Sequence, residues 1–377
     1  MREKMKKILI IANDEGTILH FRREIVKAFI EEGFEVTVCY PLAENTASIE
    51  SLGCRVVNVN VSRHGTDVLQ DLRFIKDCKT LIKKFQPDIV LTYTVKPNIY
   101  ASIACQQTKT PYLNNVTGLG SILQNKGLLS TLILKLQKIG YRKSSCVFFQ
   151  NVENRDKLKA LGVIKDSTPT YILPGSGVNL EKQKYEPFPP NDGRTRFVFV
   201  SRVRADKGYN EFFEAAQNIK RKYPHTEFHV IGWYEEEALS PMIDKLNAEG
   251  VIIYHGRLLQ EEVHEIEKTC NCLIHPTYHE GMANVLLEAA ATGRPVIATN
   301  IHGCIEAFEE GVTGFGCEVK DAGSLEEAIE KFICTPYEKQ VEMGKRGREK
   351  MEKEFDRRLV AQAYIEMMNK TLEEKAQ

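Results

Sequence analysis

Hydrophobic residues in this chain gather into short runs, and stretches with helical periodicity separate those runs. In the first half, the runs predict strands at 7–12, 35–40, 55–59, 89–94, 146–150 and 171–173. The intervening stretches predict helices at 21–32, 46–52, 69–85, 98–107, 130–143 and 155–161. Because parallel strands are usually joined by a helix, this alternation predicts a parallel sheet covered by helices.

The alternation stops at a proline-rich stretch, 185–194, and then begins again. The second half predicts strands at 196–201, 225–231 and 251–254 and helices at 211–223, 240–250 and 262–269, followed by a strand–loop–helix–strand unit at 272–299. The last segment, 325–370, is helical and amphipathic. Two doubly wound domains in tandem, at 1–185 and 191–355, are the simplest interpretation.

The unit at 272–299 carries two glutamates eight residues apart, Glu280 and Glu288. Eight residues at helical rise span about 12 Å, so Glu280 is expected before the helix and Glu288 about one turn inside it. The helix N-terminus between them offers unpaired N–H groups to an anion. Two carboxylates so placed could bind hydroxyls on either side of a diphosphate, which is the layout of a nucleotide sugar. The alternative is that neither glutamate binds a ligand: Glu280 would be an ordinary charge in a loop, and Glu288 would belong to the solvated face of a helix.

Basic and glycine residues follow two other strands of the second half. Arg202 and Lys207 come after an apolar strand and precede a helix, where they could pair with a diphosphate, and Gly208 allows a close turn. The backbone of Gly256 and Arg257, at the end of another strand, is a candidate contact for uracil, although a plain turn is equally plausible. Further backbone N–H groups for the sugar or phosphate are expected from Gly281, Met282 and Ala283.

These segments together resemble the signature of retaining glycosyltransferases of family 4. The similar segments are His-Pro-Thr at 275–277, Glu280-Gly281, the run from Asn284 to Glu288, Gly-Arg-Pro-Val-Ile-Ala at 293–298, 303–306, 200–208 and 174–180. The resemblance implies the α/β GT-B fold, with two Rossmann-like doubly wound parallel-sheet domains that face a central cleft. It also implies that the last helix, about 356–377, packs back on the first domain. One departure is His302-Gly303-Cys304, where the family usually has small residues or Pro-Gly.

The resemblance also assigns roles to individual residues. It implies catalytic roles for Glu280 at the donor hexose and for Arg202 and Lys207 at the leaving phosphates, and it places Glu288 at the ribose. The other donor-binding residues are expected to be Gly16, Gly208, Gly256, Arg257, Gly281, Met282, Ala283, Asn284 and Val285. Similarity to bacterial transferases that extend polyprenyl-diphosphate-linked sugars implies acceptor contacts from Arg63, Lys96, Asn115, Thr117 and Gly118.

Composition narrows the class of protein further. The chain has 377 residues, of which 42% are hydrophobic, enough for two cores, and no run is long enough to span a membrane. A basic start is followed by only five apolar residues, 8–12, which predicts a first strand rather than an export signal. The ten cysteines are scattered, which favours free thiols in a reducing cytosol. The chain contains no D-x-D motif, so neither a metal nor any other cofactor is expected.

Charge is divided unevenly along the chain. Residues 1–190 hold 27 Lys and Arg against 18 Asp and Glu, a net charge of +9, whereas 191–377 carry −9. No acidic residue occurs from 89 to 152, and the segment 128–143 has an apolar body with basic residues near its end: Lys135, Lys138, Arg142 and Lys143. Such a helix can lie on an anionic bilayer, which predicts a cytoplasmic protein bound peripherally to the inner face of the plasma membrane. A core helix whose lysines face water is an equal alternative.

Three classes of function remain open. The leading hypothesis is transfer of a hexose or N-acetylhexosamine from a UDP-sugar to a polyprenyl-diphosphate-linked sugar, with no nucleic-acid partner. The alternatives are a GT-B enzyme that does not transfer, such as a nucleotide-sugar 2-epimerase, and a nucleotide-sugar binding subunit. A nicotinamide-dependent dehydrogenase is disfavoured because the loop after the first strand, 13–18, lacks the G-x-G-x-x-G pattern.

Overall fold

A computed structural model describes residues 5–43, 45–61, 67–119 and 127–376. Its contacts divide the chain into two compact units. The first unit comprises 1–176 together with 357–377, and the second unit comprises 177–356. The change of unit therefore falls at 176, earlier than the stretch 185–191 suggested by the prolines, and the last segment lies with the first unit.

The first unit contains a parallel sheet with the strand order β3-β2-β1-β4-β5-β6-β7. Its strands are β1 (Lys7–Ile11), β2 (Glu35–Tyr40), β3 (Arg55–Asn58), β4 (Ile89–Tyr93), β5 (Tyr112–Val116), β6 (Cys146–Phe149) and β7 (Thr170–Ile172). Its helices are α1 (Glu15–Leu19), α2 (Arg23–Glu31), α3 (Thr46–Glu50), α4 (Val68–Phe85), α5 (Ser102–Thr108), α6 (Leu128–Tyr141), α7 (Val152–Ala160) and, from the chain end, α14 (Arg357–Ala376), with a π-helical turn at Pro97–Ala101.

The second unit contains a parallel sheet with the strand order β10-β9-β8-β11-β12-β13. Its strands are β8 (Thr195–Val200), β9 (Thr226–Ile231), β10 (Ile253–Gly256), β11 (Cys272–His275), β12 (Val296–Thr299) and β13 (Gly314–Cys317). Its helices are α8 (Tyr209–Lys222), α9 (Ser240–Ala248), α10 (Gln260–Glu267), α11 (Asn284–Ala291), α12 (Ala322–Ile333) and α13 (Tyr337–Lys350), with shorter turns at Ala205–Lys207, Glu237–Leu239, Ile305–Ala307 and Met351–Phe355.

Both sheets reverse their strand order at one point. In the first unit, this switch point lies between β1 and β4, and in the second unit it lies between β8 and β11. Neighbouring strands are parallel throughout both sheets, so the loops after these strands emerge at one edge. Ligands of doubly wound folds bind at the carboxyl ends of the strands at such a point. The predicted pair of doubly wound α/β domains is confirmed.

The strands of the second unit are apolar on both faces because helices cover both sides of the sheet. Along β8, Phe197 and Phe199 belong to one buried cluster and Val198 to another. This explains why the pattern there is a continuous apolar run rather than an alternation. Nine of the ten cysteines are buried, all with free thiols.

The final helix, α14, completes the core of the first unit. Tyr364 and Met368 are buried in the cluster that contains Phe29. At the start of the helix, Arg357 forms an ion pair with Glu24 of α2 at 2.6 Å. Within the described residues, no helix is both long enough and apolar enough to cross a membrane.

Candidate functional site

The loops after β8 and β11 touch at the switch point of the second unit. Gly208 has φ +80°, and a Cβ atom there would lie 2.0 Å from the carbonyl oxygen of Pro276. Tyr278 N–H also donates to the carbonyl of Asp206 at 3.0 Å. Both the positive φ and the close approach require glycine, so Gly208 lets the two loops meet.

Three charged or polar side chains converge where these loops meet. Lys207 Nζ lies 2.5 Å from Glu280 Oε1, and His275 Nε2 lies 3.1 Å from the same oxygen. Burial opposes ionisation of Glu280, but Lys207 and His275 outweigh it and lower the pKa of the carboxyl group to about 2. Glu280 is therefore a carboxylate at neutral pH, and hydroxyls of a ligand can only donate to it.

The sequence pointed to His275 only as part of the His-Pro-Thr segment and gave it no role of its own. It is the last residue of β11 and is 2% exposed, and its Nδ1 has no hydrogen-bond partner in the described part of the chain. Burial lowers the pKa of the imidazole, although Glu280 opposes this. A neutral imidazole donates Nε2–H to Glu280 and orients that carboxylate.

The loop after β12 packs against Glu280 from another side. Gly303 has φ +94°, and a Cβ there would lie 2.9 Å from the Cβ of Glu280. This contact gives a reason for glycine in the segment that departs from the family pattern. Ala283 N–H donates to the Gly303 carbonyl at 2.8 Å. The predicted phosphate contact from the Ala283 N–H therefore requires that bond to break.

Arg202 is paired within the protein. Its Nη1 donates to both carboxylate oxygens of Glu235, at 3.0 and 2.9 Å, and Arg204 lies 3.4 Å from the same residue. Glu235 belongs to the loop after β9 and was missed from the sequence. Both partners are about one-third exposed, and such pairs contribute little to stability. A diphosphate could thus displace Glu235 from Arg202.

Backbone hydrogen bonds connect the loops after β8 and β9 to each other and to the end of β10, at the carboxyl edge of the sheet. Val203 N–H donates to the carbonyl of Trp233, and Gly232 N–H donates to that of Gly256, each at 2.9 Å. The guanidinium of Arg257 lies 5.3 Å above the ring of Trp233, which is 46% exposed. Gly256 and Arg257 thus lie at the same carboxyl edge of the sheet as Arg202. Trp233 was also missed.

Glu288 is the fifth residue of α11, and Glu280 precedes that helix, so the predicted placement of the pair is confirmed. Glu288 lies beside a pocket with seven other residues: Gln183, Val200, Gln260, Val263, His264, Glu267 and Val285. Among the predicted donor residues nearby, Met282 is buried at 5% exposure, and Asn284 begins α11. Whether any of them contacts a nucleotide stays a prediction.

The predicted acceptor residues that the structure describes lie in β5 or in the segments after β4 and β5. Lys96 lies 2.9 Å from Asp71 of α4, and Tyr100 donates to the other oxygen of Asp71 at 2.6 Å. Asn115 is 1% exposed inside β5, so a ligand reaches its side chain only after a rearrangement. Thr117 and Gly118 follow β5, whereas Arg63 lies outside the described residues. Gly16, predicted on the donor side, lies within α1 after β1.

The helix α6 presents much of its apolar surface outward. Leu128 is 93% exposed, and Leu129, Leu132 and Ile139 are at least 44% exposed. Four of the five basic residues predicted to face a bilayer are exposed as well: Lys135, Lys138, Arg142 and Lys143. The fifth, Lys126, lies outside the described residues. Val68, Leu69 and Leu72 at the start of α4 form a second exposed apolar group. The structure therefore favours a surface helix over a core helix.

Among the described residues, no group of three or more His, Cys, Asp or Glu side chains is arranged to hold a metal ion. The charged groups at the switch point are cations paired with carboxylates. Such a site can bind a group that carries both negative charge and hydroxyls, because each part of the ligand finds a partner.

Comparison with protein families agrees with this arrangement. Residues 181–350 match the family model of glycosyl transferases group 1, and 7–151 match that of glycosyl transferase 4-like proteins. The two matches span most of both units. The chain is a glycosyltransferase of this group, with the GT-B fold.

Individual relatives are similar along most of the chain. The chain is 25% identical, over 97% of its length and 99% of the relative, to the N,N'-diacetylbacillosaminyl-diphospho-undecaprenol alpha-1,3-N-acetylgalactosaminyltransferase of Campylobacter jejuni. It is 28% identical to the UDP-Gal:alpha-D-GlcNAc-diphosphoundecaprenol alpha-1,3-galactosyltransferase of Escherichia coli, over 69% of this chain and 71% of the relative. The crystal structure of Anabaena Alr3699/HepE with UDP-glucose has a TM-score of 0.77 at 15% identity, covering 97% of this chain and 99% of that one.

Proposed function

We propose that this chain transfers a hexose or N-acetylhexosamine from a UDP-sugar to a sugar linked to a polyprenyl diphosphate. The observation that carries the proposal is the cluster of Lys207, Glu280 and His275 at the switch point of the second unit. Two relatives act, by their names, on sugars carried by diphospho-undecaprenol, and a protein of the same fold binds UDP-glucose. These likenesses support the choice of donor and acceptor class.

Different residues of the second unit bind different parts of the donor in this proposal. The carboxylate of Glu280 accepts hydrogen bonds from hydroxyls of the donor sugar, and Glu288 accepts those of the ribose. Arg202 exchanges Glu235 for the diphosphate, which Lys207 also contacts. Arg257, whose guanidinium lies over the ring of Trp233, contacts the base at the carboxyl edge of the sheet. The donor needs no other cofactor, because these side chains supply the charge.

Catalysis in this proposal is mainly electrostatic. The bond between the anomeric carbon and the diphosphate oxygen breaks, so positive charge develops on the sugar ring and negative charge on the leaving diphosphate. Arg202 and Lys207 stabilise the leaving charge, and such preorganised groups usually contribute the largest share of rate enhancement. The acceptor hydroxyl then forms the new bond to the anomeric carbon, and its proton passes to the departing diphosphate. Retention of anomeric configuration is part of the proposal.

The acceptor is bound by the first unit at the membrane surface. The exposed leucines of α6 enter the headgroup region of the inner leaflet of the plasma membrane, and the basic residues pair with anionic lipids. Each basic residue near such a surface contributes about 1 kcal/mol. Lys96 then receives the diphosphate of the lipid by exchanging Asp71.

A screen of UDP-sugars tests the proposal. Each UDP-sugar is incubated with a short polyprenyl-diphosphate sugar, and mass spectrometry detects a lipid product heavier by one sugar residue. The Glu280→Gln variant is the control because it keeps the side-chain shape and removes the charge. Free sugar or an isomerised donor without a heavier lipid would instead support an enzyme that does not transfer. If no UDP-sugar in the screen is consumed and the lipid acceptor stays unchanged, the proposal is contradicted.

A further inference from the structure

Glu267 is a buried carboxyl group that the proposed reaction does not use. It is the last residue of α10 and is 4% exposed. In the part of the chain that the structure describes, no donor forms a hydrogen bond or an ion pair with its carboxyl group. A buried carboxylate without a partner is strongly disfavoured, so such a group keeps its proton.

Glu267 and Glu288 both line one pocket. Three valines, Val200, Val263 and Val285, make this pocket partly apolar. An apolar wall weakens the solvation of a charge, and a second negative charge in the same pocket adds repulsion. Both effects act against ionisation of Glu267.

Within the described residues, none of the charged or titratable groups around Glu267 forms an ion pair with it, although the buried Arg294 attracts its charge. Arg294, in the segment before β12, directs Nη2 at the carbonyls of Pro187 and Lys268, at 2.8 and 3.0 Å. His264 of α10 faces Glu186 at 3.4 Å, and the thiol of Cys270 is buried. Burial and then Glu288 raise the pKa of Glu267 to about 8, although Arg294 opposes them.

We propose that Glu267 keeps its proton at neutral pH and is a positioning residue for Glu288. The neutral carboxyl group has one O–H donor, which it directs into the shared pocket towards the Glu288 carboxylate. Glu288 is then oriented and carries the only negative charge of the pair, available to the ribose hydroxyls of the nucleotide. This inference rests on the proposed function, which assigns the ribose to Glu288.

The first test is the affinity for UDP between pH 6.5 and 9.5, measured by calorimetry. Ionisation of Glu267 beside Glu288 should weaken wild-type binding about tenfold between pH 7 and 9 beyond the change that UDP itself causes. Glu267→Gln, a neutral isostere, should bind within about threefold of wild type at pH 7 and lack this additional loss. Glu265→Gln, on the exposed side of the same helix, should keep the wild-type profile.

Identical pH profiles for the wild type and Glu267→Gln would overturn the inference. So would loss of UDP binding by a folded Glu267→Gln protein at pH 7, because the amide reproduces the neutral side chain. If the wild type bound neither UDP nor a UDP-sugar at any pH, the proposed function and the role of Glu267 at the ribose would both fail.

A second test needs no ligand and separates these failures. A carboxyl group whose pKa is raised in the folded state stabilises the protein less as pH rises from its unfolded pKa to its folded pKa. The denaturation midpoint of the wild type should therefore fall relative to that of Glu267→Gln between about pH 4.5 and 8. Parallel midpoints over this range would show that Glu267 ionises normally and would overturn the proposed protonation, whatever UDP does.

Discussion

The two switch points share a topology but differ in chemistry. In the second unit, Lys207 follows β8 and meets Glu280 from the loop after β11. In the first unit, Lys96 follows β4 and is held by Asp71 of α4, which also accepts a hydrogen bond from Tyr100. Lys207 is paired with the loop after the other strand of its switch point, whereas Lys96 is paired with a helix. The fold thus sets where ligands bind, and the residues of the loops decide what is bound.

Lys207→Ala tests the second unit's switch point most directly, and it should have the largest effect. Removing a preorganised cation from the leaving diphosphate is expected to lower kcat about 100- to 1,000-fold. Lys222→Ala is the matched control, because Lys222 lies at the other end of α8 in a surface ion pair with Glu330. Both turnovers are measured at saturating donor, with thermal unfolding to verify the fold. A Lys207→Ala enzyme within a few-fold of the control would remove Lys207 from the mechanism.

Glycine substitutions compare the packing of the two switch points. Gly208→Ala places a Cβ 2.0 Å from a backbone carbonyl at positive φ, so we expect a loss of about 2–3 kcal/mol in the free energy of unfolding. Gly16→Ala, after β1, meets only side-chain atoms, the nearest at 3.2 Å, and should change stability by less than about 1 kcal/mol. Equal losses in denaturant titrations would show that the two loops are packed alike.

Lys96→Ala tests whether the first unit's switch point binds the acceptor. We expect the KM for the lipid acceptor to rise about tenfold, because one charge-assisted contact to a phosphate is lost. Affinity for UDP should stay unchanged, which distinguishes this lysine from Lys207. Lys109→Ala, at the end of α5, is the control. If Lys96→Ala changes UDP affinity but not the KM for the acceptor, the first unit would bind the donor rather than the acceptor.

Much of this contrast was predictable from the sequence, but the partners of the charges were not. The apolar runs predicted both sheets apart from β5 and β13, which no predicted strand covered. The spacing of Glu280 and Glu288 predicted their places around α11. Periodicity gives no information on which side chains meet across loops that are distant in sequence. Glu235, Asp71 and Trp233 were therefore missed, although each touches a residue that had been singled out.

Two further residues, His275 and Glu267, were assigned no role from the sequence, each for its own reason. His275 ends an apolar strand, where a polar side chain is usually a satisfied core residue. Glu267 is one of four glutamates in the helix α10, and nothing in that pattern marks it as the buried one. The position of His275 at the end of a strand before a glutamate loop was the one available signal. The helix α1 was also not predicted, because it is five residues long and depends on the cap that Asp14 forms with Thr17 N–H.

The smallest expected effect concerns the membrane and the exposed helix α6 of the first unit. Lys135→Ala on α6 should weaken binding to anionic vesicles about fivefold, because a basic residue near the surface contributes about 1 kcal/mol. Lys165→Ala, exposed in the same unit but outside α6, is the control. Co-sedimentation with anionic and neutral vesicles across a salt series measures the change, and UDP affinity should not move. If the wild type ignores anionic vesicles at low salt, the exposed leucines of α6 serve another surface, and a freely diffusing acceptor becomes the better hypothesis.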